Sequence, residues 1–469
     1  MITLPNDFML GWNTIDWIIR IAALVIMVPH RSPAAARSWL LLIFFLPIPG
    51  LMLFLLIGSS RFPAWRADRF RTLRPFFAQS AHSLAAFCPT LSEAAETSRL
   101  ATTLGFMPAT GGNKIELIDD YDAVIERLVA DIAEASVSVH LLVYIFADDE
   151  TGCRVIDALG KAVERGVQVR VMFDAVGSRP WQRSTSRLLV AAGVEVQQAM
   201  PFRMLRRRTR RDMRNHRKLF VVDGRIGYAG SQNVVANGFN KGIINRELVV
   251  RVTGPVVASM DTLVRADWAL ETGTSPEGGV ESRASGKTAV AQLLPSGADY
   301  PLAGFETLLV SQLYQARDRV IIVTPYFVPD ENVTAAMVTA AARGVIVDLV
   351  VSKIVDQAIV RLAQESYYDE LLSSGVRIHL FQKALLHAKT VTIDAQLAVV
   401  GSSNVDLRSF QLNEEASLLL YDTRSIAEVR TLQLGYLVES DTLRLETWRQ
   451  RSSKRRLLEN FARLSSPLL

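Results

Sequence analysis

Cysteine is nearly absent from this chain: Cys88 and Cys153 are the only two in 469 residues, and no CxxC occurs. A disulfide framework and a cysteine-rich metal site are therefore excluded, and the usage suits a reducing compartment. Histidine is also scarce, at six residues, and no carboxylate cluster stands at metal-ligand spacing. No metal and no cofactor is expected for the chemistry. Charge is missing altogether from Ser38 to Ile57. Twenty uncharged residues match the thickness of a bilayer core, so a transmembrane segment is expected over about 38–58. Pro47, Pro49 and Gly50 at its centre would kink it or fold it back as a re-entrant hairpin. A weaker apolar run over about 8–28 contains Asp16 and Arg20, and either spans or lies in the interface. No basic residue precedes Arg20, Asp7 stands just ahead of the first run, and a second run follows. These features argue against a cleaved secretory signal despite Ala34-Ala35-Ala36.

What is present begins with charge and hydrophobicity. A net charge of +5 favours an anionic partner, either nucleic acid or an acidic lipid surface, and 49% hydrophobic residues point to membrane attachment. Arg61, Arg66, Arg69, Arg71 and Arg74 follow the second apolar run, against Arg31 and Arg37 between the runs. By the positive-inside rule, the bulk of the protein faces the cytoplasm.

One polar stretch occurs twice. His216-Arg217-Lys218 leads through Leu219-Phe220-Val221-Val222 to Asp223, followed by Gly230-Ser231-Gln232-Asn233. His387-Ala388-Lys389 leads through Thr390-Val391-Thr392-Ile393 to Asp394, followed by Gly401-Ser402-Ser403-Asn404. Every position in the second copy lies 171 residues after its counterpart. His and Lys two apart on an extended chain face the same way, so each copy presents an imidazole beside an ammonium. A single such pair reads equally well as a solvated strand edge. Two copies with matching tails point to a site.

The elements around the motifs repeat as well. Periodicity predicts helix 119–134, strand 137–146, helix 152–165 and strand 167–173, then helix 305–317, strand 320–327, helix 331–343 and strand 345–351. Arg165-Gly166-Val167 answers Arg343-Gly344-Val345, and Tyr144-Ile145-Phe146 answers Tyr326-Phe327-Val328. Two α/β lobes of similar plan are expected, over 111–271 and 291–469. A Gly- and Ser-rich linker over 272–290 separates them, and a basic connector over 61–110 precedes them. From Gly193 to His216 is 23 positions, whereas from Gly375 to His387 is 12. The extra length carries Arg203, Arg206, Arg207, Arg208, Arg210, Arg211 and Arg214, which reads either as a solvated basic loop or, since it leads directly into His216, as a footing for acidic headgroups near the site. No aromatic residue lies between Arg203 and His216 to stack on bases, so nucleic acid is not the expected partner.

These residues resemble the paired HKD motifs of the phospholipase D superfamily. The wider pattern is similar to that of the bacterial cardiolipin synthases: Arg214-Asn215-His216-Arg217-Lys218, Thr324-Pro325-Tyr326-Phe327-Val328-Pro329, Asn404-Val405-Asp406-Leu407-Arg408-Ser409-Phe410, Asn413 with Glu415, and Ser465-Ser466-Pro467-Leu468-Leu469. Departures are Leu142 and Val143, where that family has Glu and Tyr, and Glu414, where it has an apolar residue. The resemblance implies an α/β fold of two phospholipase D-like lobes related by a pseudo-twofold axis, preceded by N-terminal transmembrane helices. It implies a phosphatidyltransferase of the bacterial inner membrane, its catalytic part facing the cytoplasm. Two phosphatidylglycerol molecules would give cardiolipin and glycerol through a phosphohistidine, with water or another alcohol as the alternative acceptor. It further implies His216 as nucleophile and His387 as acid and base, with Lys218 and Lys389 on the phosphoryl oxygens. Asp223 and Asp394 would orient the site, Glu247 and Glu415 would hold the imidazole tautomers, and Ser231, Asn233, Ser402, Asn404 and Arg214 would bind substrate. His30, His82, His140 and His379 match no motif and are expected to be surface or packing residues.

Overall fold

The computed structural model describes residues 6–27, 33–57, 63–201, 213–240, 242–276, 284–300 and 302–464. The chain divides into two compact units, Met1–Ala67 with Arg203–Met213, and Asp68–Phe202 with Arg214–Leu469. The arginines at 203–211 and the closing residues 465–469 fall outside the described residues.

In the first unit, helix Asn6–Met27 is followed by Pro33–Phe45 and Pro47–Ile57. The uncharged run is thus not one spanning helix. It forms two helices of 13 and 11 residues, which at 1.5 Å per residue are roughly 20 and 16 Å long against a bilayer core of about 30 Å. No described helix is long and apolar enough to cross a membrane. The break has a local cause. Pro47 opens the second helix, where its missing N–H is no loss, and its ring disfavours the helical region for Leu46. The two short helices then close on each other at Gly50, where an added Cβ would stand 3.0 Å from Ile43 Cα. Trp39 meets Phe54 edge-on at 5.4 Å. Helix Asn6–Met27 keeps Asp16 and Arg20 as an i,i+4 pair at 3.6 Å, and Arg20 Nε donates to Phe44 O at 3.1 Å.

The second unit is built on a sheet whose strand order repeats. The first half comprises β1 (Thr110–Ile118), β2 (Ser138–Val143), β3 (Gln168–Asp174), β4 (Glu195–Ala199), β5 (Leu219–Val222), β6 (Ile226–Gly230) and β7 (Val249–Thr253). The second comprises β8 (Ala289–Ser296), β9 (Arg319–Val323), β10 (Ile346–Ser352), β11 (Arg377–Phe381), β12 (Thr390–Ile393), β13 (Leu397–Gly401) and β14 (Asn413–Leu420). Outward from the centre the order is 1-7-6-5-2-3-4 on one side and 8-14-13-12-9-10-11 on the other. The two halves join edge to edge through antiparallel β1 and β8. Each half carries parallel pairs (β2 with β3, β3 with β4; β9 with β10, β10 with β11) joined by crossover helices. The duplicated helices Glu150–Glu164 and Glu331–Ala342 start alike, with Asp149 and Asp330 accepting from the N–H of Gly152 and Val333.

One buried apolar cluster runs across both halves, with Leu142, Leu219, Val250 and Leu263 packed alongside Leu293, Val323, Leu386 and Leu418. The halves are therefore one folding body. The stretch 61–110, expected as a connector, is part of it from Asp68 onward. Phe70, Leu73 and Phe77 pack with Met107, Ala269, Leu270 and Tyr300, and Gln292 Nε2 donates to Met107 O at 2.8 Å.

Asp223 and Asp394 lie at the far end of β5 and β12 from the histidines, roughly 16 Å along the chain from each lysine. Both adopt positive φ, 52° and 47°, in the hairpin turn. Asp223 accepts from the N–H groups of Ser136, Val137 and Ser138, and Asp394 from those of Arg317, Asp318 and Arg319. The expectation that they orient the catalytic groups is corrected: each pins the loop leading into β2 or β9. Burial works to raise the Asp223 pKa, but the backbone donors outweigh it and hold the carboxyl below the ordinary value. Its contribution is therefore present above about pH 4 and lost as pH falls through the lower folded pKa. Asp223→Ala should cost about 1–2 kcal/mol, the low end applying because the carboxylate is partly exposed. Thermal melts across pH check this: the loss should shrink below pH 4, and kcat should stay within about twofold.

Candidate active site

Each histidine arrives on a short strand that crosses to the other half. Arg214–Asn215 runs parallel to Asn413–Glu414, and Leu385–Leu386 runs parallel to Asn245–Arg246. The crossings continue into the motifs, where His216 N–H donates to Glu414 O and His387 N–H to Arg246 O, both at 2.8 Å. The next residue on each receiving strand is a glutamate. Glu415 lies 2.9 and 3.0 Å from His216 Nδ1, and Glu247 lies 2.8 and 2.9 Å from His387 Nδ1. Every imidazole is thus held by a carboxylate from the opposite half. Glu247 stays ionised and Glu415 already accepts from two serine hydroxyls, so each carboxylate accepts from Nδ1–H and leaves Nε2 for the cavity.

The supports of the glutamates come from the Gly-Ser tails. Gly230 and Gly401 end β6 and β13 against a neighbouring strand so closely that an added Cβ would stand 2.4 Å from Leu248 O or 2.5 Å from Ala416 O. That approach lets Ser231 Oγ accept from Leu248 N–H and Ser402 Oγ from Ala416 N–H, each at 3.0 Å. Ser402 Oγ donates to Glu415 at 2.5 Å, Ser409 Oγ donates to it at 2.9 Å, and Ser231 hydrogen-bonds Glu247. The expectation that Ser231 and Ser402 bind substrate is therefore corrected: neither lines the cavity, and both brace a glutamate.

Lys218 and Lys389 are 2% and 3% exposed, and each ammonium donates to the carbonyl of its own histidine, at 2.7 and 2.8 Å. Burial draws Lys218 down to about 7 and Lys389 to about 8, with the glutamates opposing. Burial together with the lysine charges keeps His216 well below its ordinary value. Burial also lowers His387, against the pull of Glu247. The charge of the two buried ammonium groups is offset by the two glutamates, and Asp356 and Asp406 also line the cavity, alongside Arg214 and Arg408 in its wall.

Both histidines line one cavity of about 450 Å³, together with Tyr144, Arg214, Asn233, Asn404, Arg408 and Asn413. Asn233 Oδ1 accepts from Ile145 N–H at 3.1 Å, whereas the buried Oδ1 atoms of Asn404 and Asn413 have no partner among the described residues. Arg214 stands 3.7 Å from Asp174 and donates to Met200 O at 3.3 Å.

The repeat is broken where it touches the cavity. Phe146 bridges Val234 as Phe327 pairs with Val405, so Ile145 corresponds to Tyr326 and Tyr144 to Pro325. The sequence alignment of the two Tyr-containing stretches is thereby corrected by one residue. Tyr144 stands edge-on to His216 at 4.7 Å and 5.3 Å from Lys218 Nζ, and its counterpart Pro325 offers no aromatic ring. Asp174 accepts from Asn215 N–H at 2.9 Å where Ser352 accepts from Leu386 N–H at 3.2 Å, and Arg214 is answered by Leu385. The carboxylates differ too. Burial pushes Glu415 up to about 7, whereas Glu247 is brought down to about 2 because His387 and Lys389 outweigh its burial.

Sequence reasoning missed what lies behind His216. Arg217 is buried, pairs with Asp267 at 2.5 Å and Glu414 at 2.8 Å, and donates through Nε to Glu415 O at 3.0 Å. Glu414, the departure from the resembled pattern, therefore balances an arginine outside the cavity, and Ala388 replaces that arginine in the second copy. A charged residue between His and Lys was the available signal. His140 and His379 are packing residues as expected, paired with Asp261 and Asp348 at 2.9 Å.

The sequence matches a known family over more than half of its length. The family model described as cardiolipin synthase, PLD-like domain, matches residues 128–268 and 309–432. Cardiolipin synthase A of Salmonella arizonae is 32% identical, over 98% of this chain and 99% of that protein. The Erwinia tasmaniensis protein of the same name is 33% identical over 95% of each chain. Among solved structures, the phosphatidylserine synthase of Haemophilus influenzae shares the fold, with a TM-score of 0.60 and 16% identity, over 80% of this chain and all of that one.

The two low lysine pKa values set a pH dependence. Both ammonium groups are charged below about 7 and lose charge as pH rises through 7 to 8, so kcat/KM should fall on the alkaline side with an apparent pKa in that window. A pH–rate profile checks it. A rate still climbing at about pH 9 would show that the lysine charges do not limit the reaction.

Proposed function

The chain belongs to the cardiolipin synthase family built on phospholipase D-like domains, and from that premise we propose that His216 and His387 carry a phosphatidyl group from one phosphatidylglycerol to another. The observation that carries the reading is the exchange of glutamates: each imidazole in the shared cavity is held by the carboxylate of the other half.

In the first step His216 Nε2 attacks phosphorus, the P–N bond forms, and the bond to the glycerol oxygen breaks. His387 enters this step as the imidazolium that Glu247 stabilises, gives its Nε2 proton to that oxygen and becomes neutral, and glycerol leaves. In the second step a hydroxyl of the incoming phosphatidylglycerol gives its proton to His387 Nε2 and attacks phosphorus. The P–N bond breaks, which leaves cardiolipin and restores both imidazoles. One phosphodiester replaces another, so no nucleotide is consumed.

The broken symmetry supports this division of roles. His216 is held neutral, as a nucleophile must be. His387 faces Glu247, which stays ionised at neutral pH and stabilises the imidazolium that an acid requires. Lys218 and Lys389 stabilise charge developing on the nonbridging oxygens, an effect worth roughly 3 kcal/mol for one well-placed donor. Asn233 and Asn404 line the cavity on either side and supply further hydrogen bonds.

The substrates are anionic bilayer lipids, and the helices of Asn6–Ile57 are the proposed anchor. Ile18, Ile21, Val25 and Phe45 are more than half exposed there, as suits side chains solvated by lipid. The basic residues flanking these helices suit the anionic cytoplasmic face of the bacterial inner membrane, with helix Asn6–Met27 and the hairpin of 33–57 as the membrane-embedded segments.

Purified protein in detergent with phosphatidylglycerol should release one glycerol for each cardiolipin formed, followed by mass spectrometry of the lipids. His216→Ala should reduce this by at least about 10⁴-fold and carry no phosphatidyl adduct, and His387→Ala should slow both formation and resolution of the adduct on His216. Phosphatidic acid as the main product would assign water as the acceptor instead.

A further inference from the structure

The helix Ser453–Leu464 takes no part in the site. It seats Glu459 and Ala462 against the body, Arg455 Nε donates to Glu365 at 3.1 Å, and Arg463 lies 4.5 Å over the ring of Tyr367. Its opposite face is apolar and uncovered: Leu457 is 58% exposed, Leu458 54%, Phe461 60% and Leu464 66%. Their spacing of three, four and seven places them in one stripe. Four large side chains in one stripe exceed the scattered exposure that a soluble surface carries.

The surrounding charge selects the occupant. The helix bears Lys454, Arg455, Arg456 and Arg463, and its one acid, Glu459, is buried beneath them in an ion pair with Arg451 at 3.0 Å. Lys454 and Arg456 are exposed beside the stripe, where their stems can lie along the apolar surface while the charged heads reach outward. An apolar stripe flanked by cations complements an anionic lipid surface, which takes acyl contacts and phosphate contacts together. Position adds a second argument. Helix Ala358–Glu365 packs under this one through Glu365, carries Ile359 at 48% exposure, and opens into the cavity through Gln357 and Val360. The stripe and the cavity thus share one supporting helix.

We propose that Ser453–Leu464 lies in the interface of an anionic bilayer, with Leu457, Leu458, Phe461 and Leu464 among the acyl chains, and holds the cavity mouth at the lipid surface. This rests on the reading of the reaction as transfer between bilayer lipids. A lipid leaving the bilayer then travels along the protein rather than through water, and the helix acts separately from the N-terminal segments.

The test uses the full chain with Cys88→Ser and Cys153→Ser, a fluorophore on Phe461→Cys, and Glu126→Cys on the exposed face of helix Tyr121–Ala133 as the control. In vesicles of phosphatidylcholine and phosphatidylglycerol, nitroxide-bearing lipids should quench the probe at 461 about threefold or more and leave the probe at 126 unchanged. Quenching at 461 should weaken in pure phosphatidylcholine vesicles. Quenching of the 461 probe only by an aqueous agent, or its crosslinking to a second copy of the chain, would overturn the proposal. Phe461→Glu with Leu464→Glu should raise KM for vesicle-borne phosphatidylglycerol about tenfold and leave turnover of dissolved short-chain phosphatidylglycerol unchanged. Equal loss on both substrates would also overturn it. Wild-type protein that makes no cardiolipin from either substrate would sink the reaction reading while the quenching result stood on its own.

Discussion

A carboxylate reaching across from the opposite half to grip each imidazole is the constraint on which the remainder depends. A lone buried histidine would rotate and exchange tautomers, and its Nε2 would point nowhere in particular. Here the backbone N–H of His216 is tied to Glu414 and its ring to Glu415, while His387 is tied to Arg246 and Glu247 in the same manner. Neither half can hold its own histidine. The duplicated sheet, the β1–β8 junction and the shared apolar cluster serve to keep the two crossings in register. The glycines at 230 and 401, the serines that follow them and Ser409 brace the same two glutamates.

Bringing so many ionisable groups out of water has consequences for chemistry. Uncompensated burial would neutralise the lysines, and they are already drawn down to about 7 and 8. Their charge is retained through the glutamates, so the groups that orient the imidazoles also maintain the electrostatic pull on phosphate. The pseudo-symmetry is then broken by a few substitutions at the cavity wall. Tyr144, Arg214 and Asp174 stand on the side of His216, and their counterparts in the second copy are Pro325, Leu385 and Ser352. Two equal halves would make an ambiguous acid and nucleophile, and these differences are what favour separate roles.

The uncharged N-terminal run shows where composition and conformation part. Its length of twenty residues suited a span, but length counts only if the helix is continuous. Pro47 interrupts it, Gly50 permits close approach, and Trp39 meets Phe54 across the resulting hairpin. At the other end of the chain the reverse holds. Ser453–Leu464 is short and charged, yet the packing of Glu459 and Ala462 leaves its apolar residues uncovered.

Read alone, the chain disclosed the duplication, the alternation of helix and strand and the histidine and lysine pairs, because these are local patterns repeated at a fixed interval, whereas both glutamates came only through the resemblance to a known family. It could not disclose which glutamate serves which histidine, since Glu247 and Glu415 do not keep the 171-residue interval and their pairing crosses between halves. Asp223 and Asp394 share the motif with the catalytic groups but sit at the far end of a strand, and only the course of that strand removes them from the site. The balance of Arg217 by Asp267 and Glu414 was hidden for the same reason. Spacing along a strand is fixed by covalent geometry and can be read from letters, whereas partners across a sheet are chosen by how two separately folded halves dock.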